Sequence, residues 1–267
     1  MRFSDAPICG TCGVQYDEAP DVCRICADER QYVGWKGQRW TTAAQLTARG
    51  HRGVVRPEGA GGIHGVGADP STYIGQRALL VPGEGGNVLW DCVSIVDDET
   101  VDAVRALGGI SAIAVSHPHF YGSMVEWSEA FGGVPIYVHE ADREWVCRPG
   151  NVVHWSGDTH EILPGRTLVN CGVHFDGGTV LHAGDALFTG DIVMVVMDRR
   201  FVSFMYSYPN LIPERPDRIE RAVGLLDEFP YDAIYGGWWG RVVPRDAKAS
   251  VDASVRRYFR QIGAAPG

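Results

Sequence analysis

No stretch of the chain approaches the about 20 consecutive apolar residues needed to cross a bilayer. Its first residues, MRFSDAPICG, also lack the apolar core of a signal peptide. Basic residues are in the minority, because 24 Lys and Arg stand against 33 Asp and Glu, for a net charge of −9. We see no long basic run. These absences predict a cytoplasmic protein that binds neither membranes nor nucleic acid.

Length and composition fit one large domain with a small appendage. Of the 267 residues, 45% are hydrophobic, which is enough for a sizeable core. The Gly- and Pro-rich stretch RPEGAGGIHGVGADPST, residues 56–72, is expected to be a linker or a long functional loop. We predict a cysteine-rich segment with a connecting helix at residues 1–49 (the four-cysteine segment) and a main domain at residues 50–267.

Four of the seven cysteines fall within the first 26 residues. They form two C-x2-C pairs, CGTC and CRIC, with ten residues between the pairs. Each pair turns two thiolates toward one point, and two pairs supply the tetrahedral sulfur set that zinc prefers. The spacing predicts a structural zinc; iron in the same set, two disulfides or free thiols are the alternatives. The expected ligands are Cys9, Cys12, Cys23 and Cys26.

Apolar runs and capped helical patterns alternate along the rest of the chain. Residues 41–48 predict a helix that begins at a Thr cap, and DETVDAVRALGG has an Asp cap, helical periodicity and a Gly stop. RALLVP and NVLWDC, separated by GEGG, predict a hairpin, and SAIAVS, VPIYVH, RTLVNCG and GTVLHA predict further strands. This order predicts an α/β fold, an αββα sandwich of two mixed sheets flanked by helices.

Histidines and an aspartate follow several of these predicted strands. His117 and His119 come after SAIAV, His174 comes after RTLVNC, and Asp191 comes after ALFT. Loops at strand ends converge to form sites, and His together with carboxylate suits Zn, Fe or Mn. Asp185 in HAGD is a rival for the metal aspartate, but Asp191 has the better strand-then-turn context.

The order of these residues resembles that of metallo-β-lactamase-fold proteins over residues 50–260. That superfamily carries H-x-H-x-D-H after a strand, a later His in a Gly-rich loop, an Asp in a TGD-like turn and a final His. HPHFYG, GVHFDGG and FTGD supply the matching residues, and VLWDC supplies Asp91, which the resemblance implies braces the His loop. The fold it implies is the metallo-β-lactamase αββα sandwich, here with a small N-terminal zinc-ribbon segment.

The departures from this pattern concern the second metal of that superfamily. Its D-H pair falls on Tyr121 and Gly122, the late strand AIYGG leads into GGWWG, and no His follows His182. The resemblance therefore implies one active-site ion, Zn or Fe, in a mononuclear site. Its expected ligands are His117, His119, His174 and, as a fourth or nearby ligand, Asp191.

Such a site predicts a metal-dependent hydrolase that uses activated water on an ester, lactone, thioester or related bond of a small molecule. Asp191 is expected to orient the water or take its proton, and Tyr121 to hydrogen-bond the oxyanion. A mononuclear iron oxygenase or lyase, and a non-catalytic metal-binding module, are the alternatives. The residues expected to line the substrate pocket are His64, Tyr206, Tyr208, Trp238 and Trp239. The four-cysteine segment is expected either to cap this pocket or to mediate self-association, as in a homodimer.

Overall fold

The four-cysteine segment has little regular structure of its own. In the computed structural model, which describes residues 5–263, it contains one pair of short strands and two short helices. Their bounds are β1 Ile8–Cys9, α1 Arg24–Ala27, β2 Trp40–Thr41 and α2 Ala43–Ala48. Thr42 caps α2 by accepting a hydrogen bond from the Gln45 N–H at 3.2 Å, which confirms the predicted Thr-capped helix. The domain boundary near residue 50 stays a prediction.

The first large sheet contains seven strands that lie in sequence order. Its first four strands pair antiparallel and the remaining pairs are parallel. The strands are β3 Arg52–Pro57, β4 His64–Asp69, β5 Ala78–Val81, β6 Val88–Trp90, β7 Ala112–Ala114, β8 Ile136–His139 and β9 Val152–Trp155. Helices α3 Asp98–Ala106 and α4 Met124–Ala130 connect parallel neighbours, which require crossover connections.

The second large sheet contains six strands in the order β10, β11, β12, β13, β18, β19, and of its pairs only β13 and β18 run parallel. Their bounds are β10 Thr159–Leu163, β11 Arg166–Asn170, β12 Thr179–Ala183, β13 Ala186–Gly190, β18 Ala233–Gly236 and β19 Val242–Val243. Two small hairpins precede β18, namely β14 Met194–Val195 with β15 Val202–Ser203, and β16 Met205–Ser207 with β17 Ile212–Pro213. Helices α5 Pro216–Leu226 and α6 Ala247–Ile262 complete the fold.

Apolar layers hold these elements together. One lies between the two sheets and includes Trp90 and Phe188, each only 1% exposed. A second lies between the first sheet, α3, α4 and the four-cysteine segment, and a third lies between the second sheet, α5 and α6. This arrangement confirms the predicted αββα sandwich of mixed sheets. Within residues 5–263, no helix is long and apolar enough to span a membrane.

The prediction of a linker or long loop at residues 56–72 is wrong, because β4 lies within it and pairs with both β3 and β5. Its glycines have a packing role. A Cβ atom at Gly65 would lie 2.3 Å from the Trp239 ring, and one at Gly67 would lie 2.8 Å from it. The glycines therefore make room for an indole on the face of the strand, which is a close approach that a side chain would prevent.

Candidate metal centre

Three imidazoles converge at the edge where strands of both sheets end. His117 and His119 follow β7, at the start of a 3₁₀ turn over Pro118–Phe120, and His174 follows β11 with a φ of +66°. One ring nitrogen from each of the three lies within 4.8 Å of the others. We call these three residues the His cluster. They are 1%, 3% and 0% exposed, so their polar atoms require partners inside the protein.

The hydrogen bonds of His174 orient its ring as a metal ligand requires. His174 Nδ1 donates to the Tyr206 carbonyl at 2.8 Å, since a carbonyl only accepts, and its Nε2 therefore presents a lone pair 3.1 Å from His119 Nδ1. His117 Nδ1 is 2.9 Å from Ser116 Oγ. Nitrogens that share a tetrahedral zinc lie about 3.3 Å apart, given bonds of about 2.0–2.1 Å. The donor set thus fits a metal ion with three histidine ligands.

Two further atoms support this fit. Neither Nε2 of His117 nor Oδ1 of Asp191 has a hydrogen bond within the described part of the chain, although the two are 3.2 Å apart and buried. Asp191 follows β13 directly, whereas Asp185 precedes that strand and is exposed. The structure therefore brings Asp191 to the His cluster and leaves Asp185 at the opposite end of β13.

Burial sets the charge state of these groups. It lowers the pKa of His117 and His119 well below the usual range and that of His174 to about 4, and the nearby Arg30 guanidinium acts in the same direction. Neutral imidazole is the form that binds metal. Burial, followed by repulsion from Asp91, raises the pKa of Asp191 well above its ordinary value.

Buried carboxylates fix the loops that carry the ligands. Asp91 Oδ1 accepts the Ser116 N–H at 2.7 Å, which is the brace that the family resemblance implied. Glu214 Oε2 accepts the His174 N–H at 2.9 Å, and this carboxylate is 1% exposed. No local pattern in the sequence pointed to Glu214, because it lies 40 residues from His174 in a different hairpin.

The positions where the resemblance leads us to expect ligands of a second metal are closely packed. The Phe120 ring, fully buried, lies 4.8 Å from the His117 ring and 5.6 Å from the Trp238 ring. A Cβ at Gly237 would lie 2.7 Å from Phe120, and a Cβ at Gly122 would lie 2.8 Å from the Cys92 carbonyl oxygen. Neither glycine position has room for a ligand side chain.

Tyr121 is buried and points to a different neighbour from the one predicted. Its hydroxyl lies 3.5 Å from the Asp142 carbonyl, and no hydrogen bond or ring contact between described residues joins it to the His cluster. An oxyanion-binding role for Tyr121 stays a prediction to which this geometry lends no support.

The predicted substrate-binding residues fall into two groups. The Tyr208 ring lies 5.5 Å from the His174 ring and its hydroxyl donates to the Asp191 carbonyl, while the Tyr206 carbonyl accepts from His174. Both tyrosines therefore contact the metal-ligand loops. His64 lies on β4, where its Nδ1 contacts the Gly62 carbonyl, and no hydrogen bond or ring contact among residues 5–263 links it to the His cluster.

The two tryptophans line a separate cleft that no residue of the His cluster borders. This cleft encloses about 450 Å³ and is bordered by Gly75, Met194, Trp238, Trp239 and Arg241. Trp238 donates its indole N–H to the Ile74 carbonyl at 2.9 Å, which fixes the ring against Phe120. Phe120 thus contacts both the cleft and the His cluster.

The four N-terminal cysteines form a second candidate metal site. They are buried and free of disulfides, with Cys9 Sγ 3.7 Å from Cys26 Sγ and Cys12 Sγ 3.8 Å from Cys23 Sγ. A tetrahedron with metal–sulfur bonds of about 2.3 Å has edges of about 3.8 Å. Cys9 Sγ also accepts from the Thr11 N–H and from Gln38 Nε2. The geometry fits a metal held by four thiolates, which is closed to further ligands.

No protein-family model matches the chain. YmaE, an uncharacterized protein of Bacillus subtilis (strain 168), is 43% identical over 265 residues, which is 96% of this chain and 96% of YmaE. The chain belongs to the YmaE family.

Solved structures identify the fold of this member of the YmaE family. VMB-1 superposes with a TM-score of 0.59 and 13% identity, over 80% of this chain and 99% of VMB-1. DIM-1 metallo-β-lactamase has a TM-score of 0.53 and 14% identity, over 76% of this chain and 99% of DIM-1. The metallo-β-lactamase from Hirschia baltica has a TM-score of 0.52 and 18% identity, over 74% of this chain and 97% of that protein. The chain has the metallo-β-lactamase fold, and at this identity the likeness concerns the fold alone.

Gly122→Ala measures how tightly the backbone at Gly122 is packed. A side chain at a φ of +47° costs about 1–2 kcal/mol, and overlap with the Cys92 backbone adds about 1–3 kcal/mol. Gly132→Ala is the matched control, because its φ is +84° and a Cβ there meets no atom within 4 Å. Urea denaturation should give the larger loss of unfolding free energy at Gly122. Equal losses at the two positions would contradict the packing argument.

Asp142 anchors the His174 loop and makes stability depend on pH. Its Oδ1 accepts the Gly177 N–H at 2.9 Å, and burial raises its pKa to about 7. The folded state therefore holds a proton that the unfolded state releases, so this contribution to stability is complete below about pH 4 and is lost as the pH rises through about 7.

Asp142→Asn should remove this pH dependence while it keeps an acceptor for Gly177. Between pH 4 and pH 8, the wild type should lose about 2–4 kcal/mol of unfolding free energy more than the variant does. Denaturant titrations at both pH values measure the difference. Asp102→Asn, at a carboxylate 73% exposed, should change stability by less than about 0.5 kcal/mol at either pH. Parallel pH profiles for Asp142→Asn and wild type would refute the assignment.

Proposed function

We propose that this protein is a metal-dependent hydrolase with one active-site ion, held by the His cluster with Asp191 beside it. The observation that carries the proposal is the set of three buried imidazoles that converge on one point, two of which, His117 and His119, have an Nε2 without a hydrogen-bond partner among the described residues. Three protein ligands leave one position open, which is the arrangement of catalytic rather than structural zinc. The four-cysteine site, by contrast, is proposed to hold a structural zinc.

When bound, such an ion supplies a Lewis acid that polarises a carbonyl and makes water acidic near neutral pH. Asp191 Oδ1 faces the same space and is proposed to accept the proton of the attacking water. Tyr208 holds the Asp191 backbone by donating its hydroxyl to the Asp191 carbonyl. Because both the backbone and the buried side chain are confined, the carboxylate stays directed at the His cluster.

We propose that the lack of a second ion limits the leaving group. Neither Gly122 nor Gly237 can supply a ligand for a second ion, which would stabilise a departing amine. Esters, lactones and thioesters release less basic groups and do not need that help. We therefore propose one of these bonds, in a small molecule, as the substrate class rather than a β-lactam.

The cleft lined by Trp238 and Trp239 is the proposed route of the substrate to the His cluster. Its aromatic surfaces and Arg241 suit a molecule with an apolar body and a polar or anionic end. The buried Phe120 ring packs between Trp238, which borders this cleft, and His117.

His117→Ala and the closer mimic His117→Gln test the proposal through metal content and hydrolysis. We expect about two metal ions per chain in the wild type and one in either variant, since three histidine ligands are reduced to two. Hydrolysis of aryl esters, lactones and thioesters should fall by at least about 100-fold. Elemental analysis, a hydrolysis panel and a melting curve measure these outcomes.

His182→Ala is the control. The His182 imidazole contacts the Pro230 carbonyl and the Phe229 ring, and neither residue belongs to the His cluster or its loops. It should retain both ions and full hydrolysis. One ion per chain in the wild type, held by the cysteines, would refute the proposal. Iron at the His cluster with oxygen consumption, and without hydrolysis, would replace it by a redox function.

A further inference from the structure

The residues that follow the fourth cysteine lie against the loop that carries His174. Arg30 is four residues beyond Cys26, and its Nη1 donates to the His174 carbonyl at 3.2 Å. Its guanidinium also lies 3.8 Å above the centre of the Phe175 ring. A cation over an aromatic face is attracted to it, most strongly where water is excluded. The four-cysteine segment therefore reaches a candidate metal ligand 144 residues away.

Arg30 is itself held rigidly. Asp28 accepts from Arg30 Nε at 2.6 Å and from Nη2 at 2.9 Å, and the two side chains are largely buried. A two-point contact of this kind fixes the plane of a guanidinium as well as its position. Asp28, which directly follows α1, thus holds Arg30 so that its Nη1 points at the His174 carbonyl.

The same segment also holds the backbone group that orients the His174 ring. Tyr206 offers its carbonyl to His174 Nδ1, and the Tyr206 hydroxyl donates to Glu29. Ser207 Oγ donates to the Arg30 carbonyl at 3.0 Å. The His174 carbonyl is therefore contacted by Arg30 directly, and the residues around the acceptor of its Nδ1 are held by Glu29 and Arg30.

A second contact joins the four-cysteine segment to the other ligand loop. The Gln15 N–H, which lies between the two cysteine pairs, donates to the Gly122 carbonyl at 3.0 Å. Gly122 is three residues beyond His119. Gln15 Nε2 donates to Glu126 at 2.6 Å. The four-cysteine segment thus contacts the loops that carry all three members of the His cluster.

We propose that the four-cysteine segment is a positioning element for the His cluster, and that Arg30 is the positioning residue which links the two candidate metal sites. The thiolate site orders the segment, and the segment holds His174 in its ligating orientation. This inference rests on the proposed metal at the His cluster and adds a function for the four-cysteine site. Residues that orient metal ligands change metal affinity by about 10–100-fold when they are removed.

Cobalt(II) titration of the full chain tests the link without any substrate. Cobalt bound to four thiolates and cobalt bound to three histidines differ in their absorption spectra, so the two sites are read separately. Arg30→Ala should weaken cobalt binding at the His cluster by about 10-fold or more and leave the thiolate site filled. Arg30→Lys keeps a donor for the His174 carbonyl but loses the two-point contact with Asp28, so its affinity should be intermediate.

Arg24→Ala is the matched control. Arg24 also belongs to the four-cysteine segment and also donates to a backbone carbonyl, that of Val146 at 2.6 Å, which lies outside the His174 loop. Its cobalt affinity at both sites should equal that of the wild type. A loss of His-cluster affinity in Arg24→Ala as large as in Arg30→Ala would show general destabilisation and overturn the proposal.

The remaining outcomes separate this proposal from the proposed function. Two cobalt sites in the wild type, with unchanged His-cluster affinity in Arg30→Ala, would overturn the link and leave the hydrolase proposal standing. A wild type that binds cobalt at the thiolates alone would overturn both.

Coupling between two sites is reciprocal, which gives an independent measurement. Metal at the His cluster should strengthen the retention of zinc by the cysteines. The wild type should therefore keep this zinc against a competing chelator better than His119→Ala does. Arg30→Ala should abolish that difference. Equal retention in wild type and His119→Ala would contradict the link.

Discussion

Three imidazoles must meet at one buried point without carrying charge, and much of the surrounding structure serves that constraint. Burial keeps the three rings neutral, but a neutral ring presents a lone pair inward only if its other nitrogen is bonded outward. The Tyr206 carbonyl supplies that bond for His174. The backbones are fixed as well, since Asp91 holds the Ser116 N–H and Glu214 holds the His174 N–H. The site is therefore set by acceptors that lie outside it.

The packing beside the His cluster bears on the proposal of one active-site ion. Phe120 occupies the space beside His117, and the backbone at Gly122 and Gly237 passes too close to its neighbours to carry a side chain. These positions depend on one another, because a ligand at Gly237 would displace the Phe120 ring that Trp238 packs against. A ligand side chain at Gly122 or Gly237 would therefore require these neighbours to move.

Local patterns predicted which side chains would meet, because each follows a buried strand and strand order alone brings them to one edge. Asp191 was preferred to Asp185 on its position after β13, and the structure places Asp191 at the cluster. Residues that act through distant contacts left no such pattern, and Arg30 is the main example. The glycine-rich stretch at residues 56–72 resembles a loop for another reason: in sequence, a glycine that makes room for a ring cannot be told from one that permits a turn.

The four-cysteine segment shows what cysteine spacing alone can predict and what it cannot. Two C-x2-C pairs predict a tetrahedron, and the sulfur separations of 3.7 and 3.8 Å match its edges. Spacing does not predict where that tetrahedron docks. Its cysteines lie in the same apolar layer as α4 and β7, so the segment completes the core on the side of the ligand loops. Regular secondary structure is sparse in this segment, which supports the proposal that a metal at the four cysteines holds Gln15 and Arg30 against the ligand loops.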